Sequence, residues 1–389
     1  MAGEGPRDGV EFLDPEPESA PGPPSPGRSI LLRGGLALAV AALVALLLVR
    51  HEDGSAPSAA SSAPAPSARS SARSSVPPAP LVQVDGLGHP LLGVRAGWEL
   101  FGRGNGVVVR IEFAAGRITR TVVGSIDSSG PVAFLPTGDG VLVRPLDAVA
   151  GYSVSDGLPP VGLAGLLGQG GAAFPGPDLG HVWVEASPGH LALVTADGTR
   201  DGPQIALPAG ASAQGGEADQ RGGVLVFTAR GSVDVTVHGA TPVTSGNVVG
   251  VGPRTWLLRS CRTCPLTAVD RDSGVRHTVP PRQSPRNELG LVSPDGRLAA
   301  LTDVTDDGSP GALYLIDLSS GAVRTVAAHV ATDGYGLDSV AWSPDGRWLF
   351  VVDPAGRLAA VDARTGRPTP LGVDLPPLTQ LAIRPQVTS

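Results

Sequence analysis

Apolar positions along this chain follow two different rhythms. Residues 36–49 read Leu-Ala-Leu-Ala-Val-Ala-Ala-Leu-Val-Ala-Leu-Leu-Leu-Val, without a polar residue. With Gly34, Gly35 and the Ile30-Leu31-Leu32 entry the run reaches about 20 residues, the length that crosses a bilayer core. From residue 81 onward the apolar residues come in short runs punctuated by Gly, Pro and Asp. Those that open on a strong apolar strand begin near Trp98, Val141, Trp183, Val224, Trp256, Leu298 and Trp348, at intervals of 43, 42, 41, 32, 42 and 50 residues. A period of forty-odd residues with about four short strands per unit predicts an all-β, seven-bladed β-propeller over residues 81–389, with six or eight blades as the alternative counts.

The repeat is clearest near the C-terminus. Val292-Ser293-Pro294-Asp295-Gly296-Arg297-Leu298 recurs as Trp342-Ser343-Pro344-Asp345-Gly346-Arg347-Trp348. Pro presets φ, Asp bonds back to the backbone and Gly takes positive φ, so each copy predicts a hairpin turn. A second element follows: Leu313 to Gly321 parallels Leu358 to Gly366 and Leu266 to Gly274, each an apolar strand ending in Asp and then Gly, and Val108 to Gly116 is a degenerate copy. Four of the five Trp recur at one place in the unit, where packing between neighbouring sheets is preferred to a ligand cage. At the Ser-Pro-Asp-Gly-Arg residues the chain resembles the TolB-like and tryptophan-aspartate-repeat propellers, in which that motif precedes a blade's second strand. The resemblance implies an interaction platform; some members are fused to hydrolase domains, which this chain lacks.

Leu378 to Pro385 looks like the first strand of a blade with nothing after it to complete the unit. The missing strands stand at residues 98–102, 107–113 and 117–123. The C-terminal strand is therefore expected to pair with them, removing two exposed edges and closing the ring.

The apolar run predicts a transmembrane helix over residues 30–50, with Arg33 near its end able to snorkel to the headgroups. A cleaved signal peptide is the competing reading, but Arg50, His51, Glu52 and Asp53 follow the run in place of a small-residue cleavage site, and there is no lipobox Cys. Arg28 and Arg33 before the run against Arg50 after it place residues 1–29 in the cytoplasm as a disordered acidic tail. Residues 51–80, nearly all Ser, Ala and Pro beyond residue 54, form a tether that cannot bury a core. The propeller is thus expected outside the cell membrane on a single-pass anchor.

Composition narrows the chemistry. All 29 basic residues are Arg, as in a GC-rich bacterial gene, and the formal net charge is −7. Residues 81–389 hold 28 acids against 23 Arg, so nucleic acid, which needs a basic face, is not an expected partner. Without Lys, phosphate-loop nucleotide hydrolysis and Lys Schiff-base chemistry are excluded. No Gly-x-Ser-x-Gly elbow and no His-x-x-x-His or His-Glu-x-x-His pair occurs. Gly102-Arg103-Gly104-Asn105-Gly106 joins two strands and reads as a turn. Asp303 to Gly308 has the acid density of a calcium loop but lacks its alternation and its twelfth-position Glu, and Asp270, Asp272 and Gly274 are ordinary turn chemistry.

Cys261-Arg262-Thr263-Cys264 is the only cysteine pair. A redox role needs a helix N-terminus, and zinc needs a fourth ligand that residues 281–283 do not supply after His277. A structural disulfide between Cys261 and Cys264, in a strand connection outside the cell, is preferred. No catalytic, cofactor-binding or metal residue is otherwise named, and no cofactor is expected.

The expected function is non-enzymatic recognition of a protein or other ligand at the cell surface, the membrane and a protein partner being the contacts implied. The alternative is a lactonase- or lyase-like propeller enzyme with its site at the central channel, which three or more converging carboxylates, His or Asn would favour. A third reading has the propeller sense an outer ligand while residues 1–29 relay the signal.

Overall fold

The computed structural model describes residues 82–124, 132–146, 151–169, 171–261, 263–280, 288–304, 310–330 and 338–385. The tail, the apolar run of residues 30–50, the tether and the end of the Asp303 to Gly308 loop lie outside them. Among the described residues no helix is long and apolar enough to cross a membrane.

The described chain is a β-propeller of six sheets. Five are single blades. One has five strands, in the order Val82–Gly86, Arg117–Val122, Val107–Glu112, Glu99–Gly104 and Leu378–Arg384. Four more are four-stranded meanders over residues 132–162, 173–206, 217–244 and 340–370. The sixth sheet has eight strands: antiparallel meanders over residues 247–278 and 288–329 meet where Asn247–Val251 runs parallel to Glu288–Val292. Gly250 faces Gly290 there, and a Cβ on Gly290 would meet the Leu301 side chain and the Ala300 carbonyl of the strand Leu298–Val304 on its other side, so that position requires glycine.

Each of the seven apolar runs is the second strand of its meander: Glu99–Gly104 just after Trp98, Gly140–Pro145, His181–Ser187, Val224–Thr228, Thr255–Arg259, Leu298–Val304 and Trp348–Val352. Their side chains alternate, and both faces are buried. Leu349 and Val351 pack toward residues 288–329, whereas Trp348, Phe350 and Val352 pack toward the five-stranded sheet. The same division recurs at Val141 and Val143 against Leu142. The buried apolar residues accordingly fall into clusters that each join one meander to the next, from the five-stranded sheet and residues 132–162 round to residues 340–370 and back.

The repeated turns form as their chemistry demands. Asp295 accepts from the Ser293 hydroxyl at 2.6 Å and the Arg297 N–H at 3.1 Å, Gly296 has φ of 73°, and the Ser293 hydroxyl oxygen accepts the Leu298 N–H at 3.0 Å. Ser343, Asp345, Gly346 and Trp348 reproduce the arrangement. At the other turn the Asp317 carboxylate takes the Ser319 hydroxyl at 2.6 Å and the Ser320 N–H at 2.9 Å, which hold it at about 2, while Gly321 has φ of 70°.

Ring closure is as the terminal strand implies. Leu378–Arg384 pairs antiparallel with Glu99–Gly104, opposing Glu99 to Arg384 and Phe101 to Ala382. Arg384 donates to Glu99 at 2.9 Å, to the Gly138 carbonyl at 3.1 Å and to Asp156 at 2.7 Å, so one side chain ties the terminal strand to two blades. Burial opposes its charge, but Asp156 and Glu99 outweigh that and raise its pKa. The outermost strand, Val82–Gly86, is an addition to the strands expected from sequence; it is short and largely exposed, and its alternation covers only Val82 to Asp85.

Deleting residues 376–389 is expected to abolish soluble monomeric product, because it bares the edge of Glu99–Gly104 and removes Arg384; expression yield and size-exclusion chromatography check this. Phe350 lies 5.2 Å from the Phe113 ring and 5.8 Å from Trp98, fully buried at the closure. Phe350→Ala should therefore cost about 3–5 kcal/mol in urea unfolding.

Candidate functional site

The inner strand of every meander turns an edge toward a central cavity of about 390 Å³. Its wall takes Val132, Ala173, Glu217, Val251, Leu291, Val340 and Leu381, one from each inner strand in turn. Most of the lining is small or apolar, with Phe134, Phe174 and Trp342 as its aromatic surfaces. The charged residues lining it among those described are Arg144, Glu217 and Asp338; no His, Ser, Cys or Asn does so.

Glu217 opens the two-residue strand Glu217–Ala218, and a tight loop sets its position. The Asp219 carboxylate accepts the Arg221 N–H at 2.7 Å and the Gly223 N–H at 2.6 Å, while Gln220 adopts φ of 65°, a left-handed conformation uncommon outside glycine. Arg271 anchors the loop from the next meander, donating to Asp219 at 2.6 Å and lying 4.4 Å from the Trp256 ring centroid. The loop thereby presents Glu217 and Gln220 to the cavity. Its buried neighbour Asp234 is pushed up by burial and by the charge of Asp219.

Glu217 is half-buried at the edge of the cavity, and no hydrogen-bond donor among the described residues meets its carboxyl. Burial first, and the negative charge of Asp338 second, push it up to about 7. No cation offsets them. Asp338 is held differently: the Gln380 amide donates to it at 2.9 Å and to the Val132 carbonyl at 2.6 Å, while Arg103 donates to the Gln380 oxygen. Gln380 belongs to the closing strand, so closure of the ring also orients this carboxylate.

Arg144 is buried in the wall and turned into it. It donates to the Leu167 carbonyl at 2.8 Å, to Ala172 at 3.0 Å and to Gly171, and burial pulls its pKa down to about 10.

The residues singled out from sequence lie elsewhere. Cys261 and Cys264 form a disulfide with Cα atoms 5.0 Å apart, in the connection between Thr255–Arg259 and Thr267–Asp270 and away from the cavity. His277 bonds the Leu318 carbonyl at 3.2 Å. Asp270 caps its own turn through Ser273, and Gly102 to Gly106 spans a hairpin. His181 sits between Asp201 and Asp178 at 3.1 and 2.7 Å on the exterior; Asp201 first and Asp178 second raise its pKa. Among the described residues no group of three or more His, Cys, Asp or Glu is placed to hold a metal. Glu217, Asp338, Gln380 and Arg144 were not found from sequence, because each is an isolated polar residue whose neighbours come from other blades.

No protein-family model matches the chain, and no curated protein matches it. Solved structures similar to it include AztD from Citrobacter koseri, 14% identical over 70% of this chain and 80% of that one, with a TM-score of 0.42. TolB from Acinetobacter baumannii is 16% identical over 76% and 68%, with a TM-score of 0.39. A candidate 6-phosphogluconolactonase from Bacteroides fragilis is 11% identical over 74% and 98%, with a TM-score of 0.43. The likeness is one of propeller architecture alone.

The raised Glu217 carboxyl makes stability depend on pH with a definite sign. Its ordinary value is 4.5, so between there and about 7 the folded chain holds a proton the unfolded chain has lost. The stability contribution is full below 4.5, declines as pH rises and is lost above 7. Relative to Glu217→Gln, the wild type should lose on the order of 2–3 kcal/mol between pH 5 and 8. Urea unfolding of both proteins across that range checks it; parallel curves would refute the assignment.

Proposed function

We propose that this chain is a seven-bladed propeller held outside the cell membrane by residues 30–50, and that it is a recognition module which takes its ligand at the central cavity. The count of seven treats the two meanders of the eight-stranded sheet as successive blades. The membrane assignment rests on the apolar run and the Ser/Ala/Pro tether. A disulfide at Cys261 and Cys264 suits an oxidising exterior.

The observation that carries the functional reading is the cavity lining. Apolar and small residues surround two carboxylates, and no Ser, Cys or His nucleophile or base joins them among the described residues. Such a wall suits burial and orientation of a ligand more than bond breaking. One observation favours the enzyme alternative: a carboxyl at about 7 beside a second carboxylate can act as an acid and base pair.

Full-length protein on intact cells should be digested by an added protease while residues 1–29 stay protected. It should also be cross-linked by a membrane-impermeant reagent to a specific partner that the soluble propeller displaces. Protection of the propeller overturns the topology. Turnover of a lactone or uronide substrate that Glu217→Gln abolishes overturns the non-enzymatic reading.

A further inference from the structure

We infer that the central cavity is a site for a protonated primary amine on a compact apolar body, with the ammonium held between Glu217 and Asp338 and the body against Trp342 and Phe134. The inference rests on the cavity being the recognition site and names the chemistry it selects.

Three independent features meet there. The carboxylates come from opposite parts of the chain and close onto one space, near enough for the charge of Asp338 to act on Glu217. Like charges bordering one cavity repel, and a cation between them relieves that repulsion and the burial cost of Glu217. Second, Glu217 is half-buried yet meets no donor among the described residues, whereas Asp338 is already aimed by Gln380. A carboxyl left without a partner in such a place is costly, and an ammonium brings three donors. Third, the remaining surface is aromatic and aliphatic, which buries an apolar body.

Arg144, the remaining charged residue of the lining, does not compete as an anion site. Its guanidinium is spent on the Leu167, Gly171 and Ala172 carbonyls of the wall. An anionic ligand would meet two carboxylates before any unengaged donor of Arg144. A neutral ligand would gain the apolar wall and at most a single hydrogen bond from the acids, without the ion pair. The size agrees with one ring or a short chain, since ligand pockets begin at about 300 Å³.

The test uses the full-length chain in lipid nanodiscs and isothermal titration with benzylammonium, benzyl alcohol and benzoate, with empty nanodiscs as blank. Benzylammonium should bind at least tenfold more tightly than benzyl alcohol, and benzoate more weakly still. Glu217→Gln and Asp338→Asn should each weaken benzylammonium at least tenfold and benzyl alcohol by less than about threefold, and far-UV circular dichroism and thermal melting matching wild type show that the variants fold. Glu217→Asp should restore part of the affinity. Between pH 6 and 8 the amine stays protonated while Glu217 ionises, so wild-type affinity should rise with pH, and the Glu217→Gln variant should lose that dependence. Equal binding of amine and alcohol, or of wild type and Glu217→Gln, overturns cation selection while leaving the cavity as the recognition site. Binding of neither amine nor alcohol overturns the cavity itself, and benzoate binding best overturns the sign of the charge recognised.

Discussion

The antiparallel pairing of Leu378–Arg384 with Glu99–Gly104 is the interaction on which the rest of the structure depends. A row of sheets packed face to face is open at both ends, and each end would bare an apolar face as well as a strand edge. Sharing one blade between the two ends of the domain removes both. Arg384 reinforces the joint through Glu99 and Asp156, and Trp98, Phe113 and Phe350 fill the space behind it. The closing strand has a second consequence, because it also carries Gln380, which aims Asp338 at the cavity. Assembly of the ring and assembly of the site are one event.

Packing around the ring follows from the two-sided burial of each meander. A strand such as Trp348–Val352 divides its side chains between two neighbours, so every sheet is glued on both faces and none can be removed without exposing two cores. The inner strands obey another constraint. They converge on the cavity, and two of them, Asn247–Val251 and Glu288–Val292, pair directly with Gly250 opposite Gly290. The inner edges carry mainly apolar residues, and the polar groups that do appear there stand out.

Glu217 is the clearest of these. Its burial opposes ionisation, and the loop that presents it holds Gln220 at positive φ and spends Asp219 and Arg271 on its own support. A propeller built only for stability would place an apolar residue there. The structural charges elsewhere differ in kind: Arg384 and Arg271 meet carboxylates directly, and Arg144 meets carbonyls. Glu217, half-buried at the cavity, meets no such partner among the described residues.

Much of the fold was legible in the chain. The seven apolar runs are second strands, the Ser-Pro-Asp-Gly-Arg copies are the turns before them, and the orphan strand at Leu378 announced the closure, all because strand alternation and turn chemistry are local. The approach of Cys261 and Cys264 to disulfide distance follows from the same locality, since they are three residues apart. The strand Val82–Gly86 was not legible, because its alternation spans only Val82 to Asp85 and lies outside the forty-residue repeat. Nor was the site: Glu217, Asp338, Gln380 and Arg144 lie far apart in sequence, and only the ring brings them to one cavity. Local rules wrote the strands and turns, whereas the meeting of isolated polar residues across blades was decided by closure in three dimensions, which no neighbouring residue encodes.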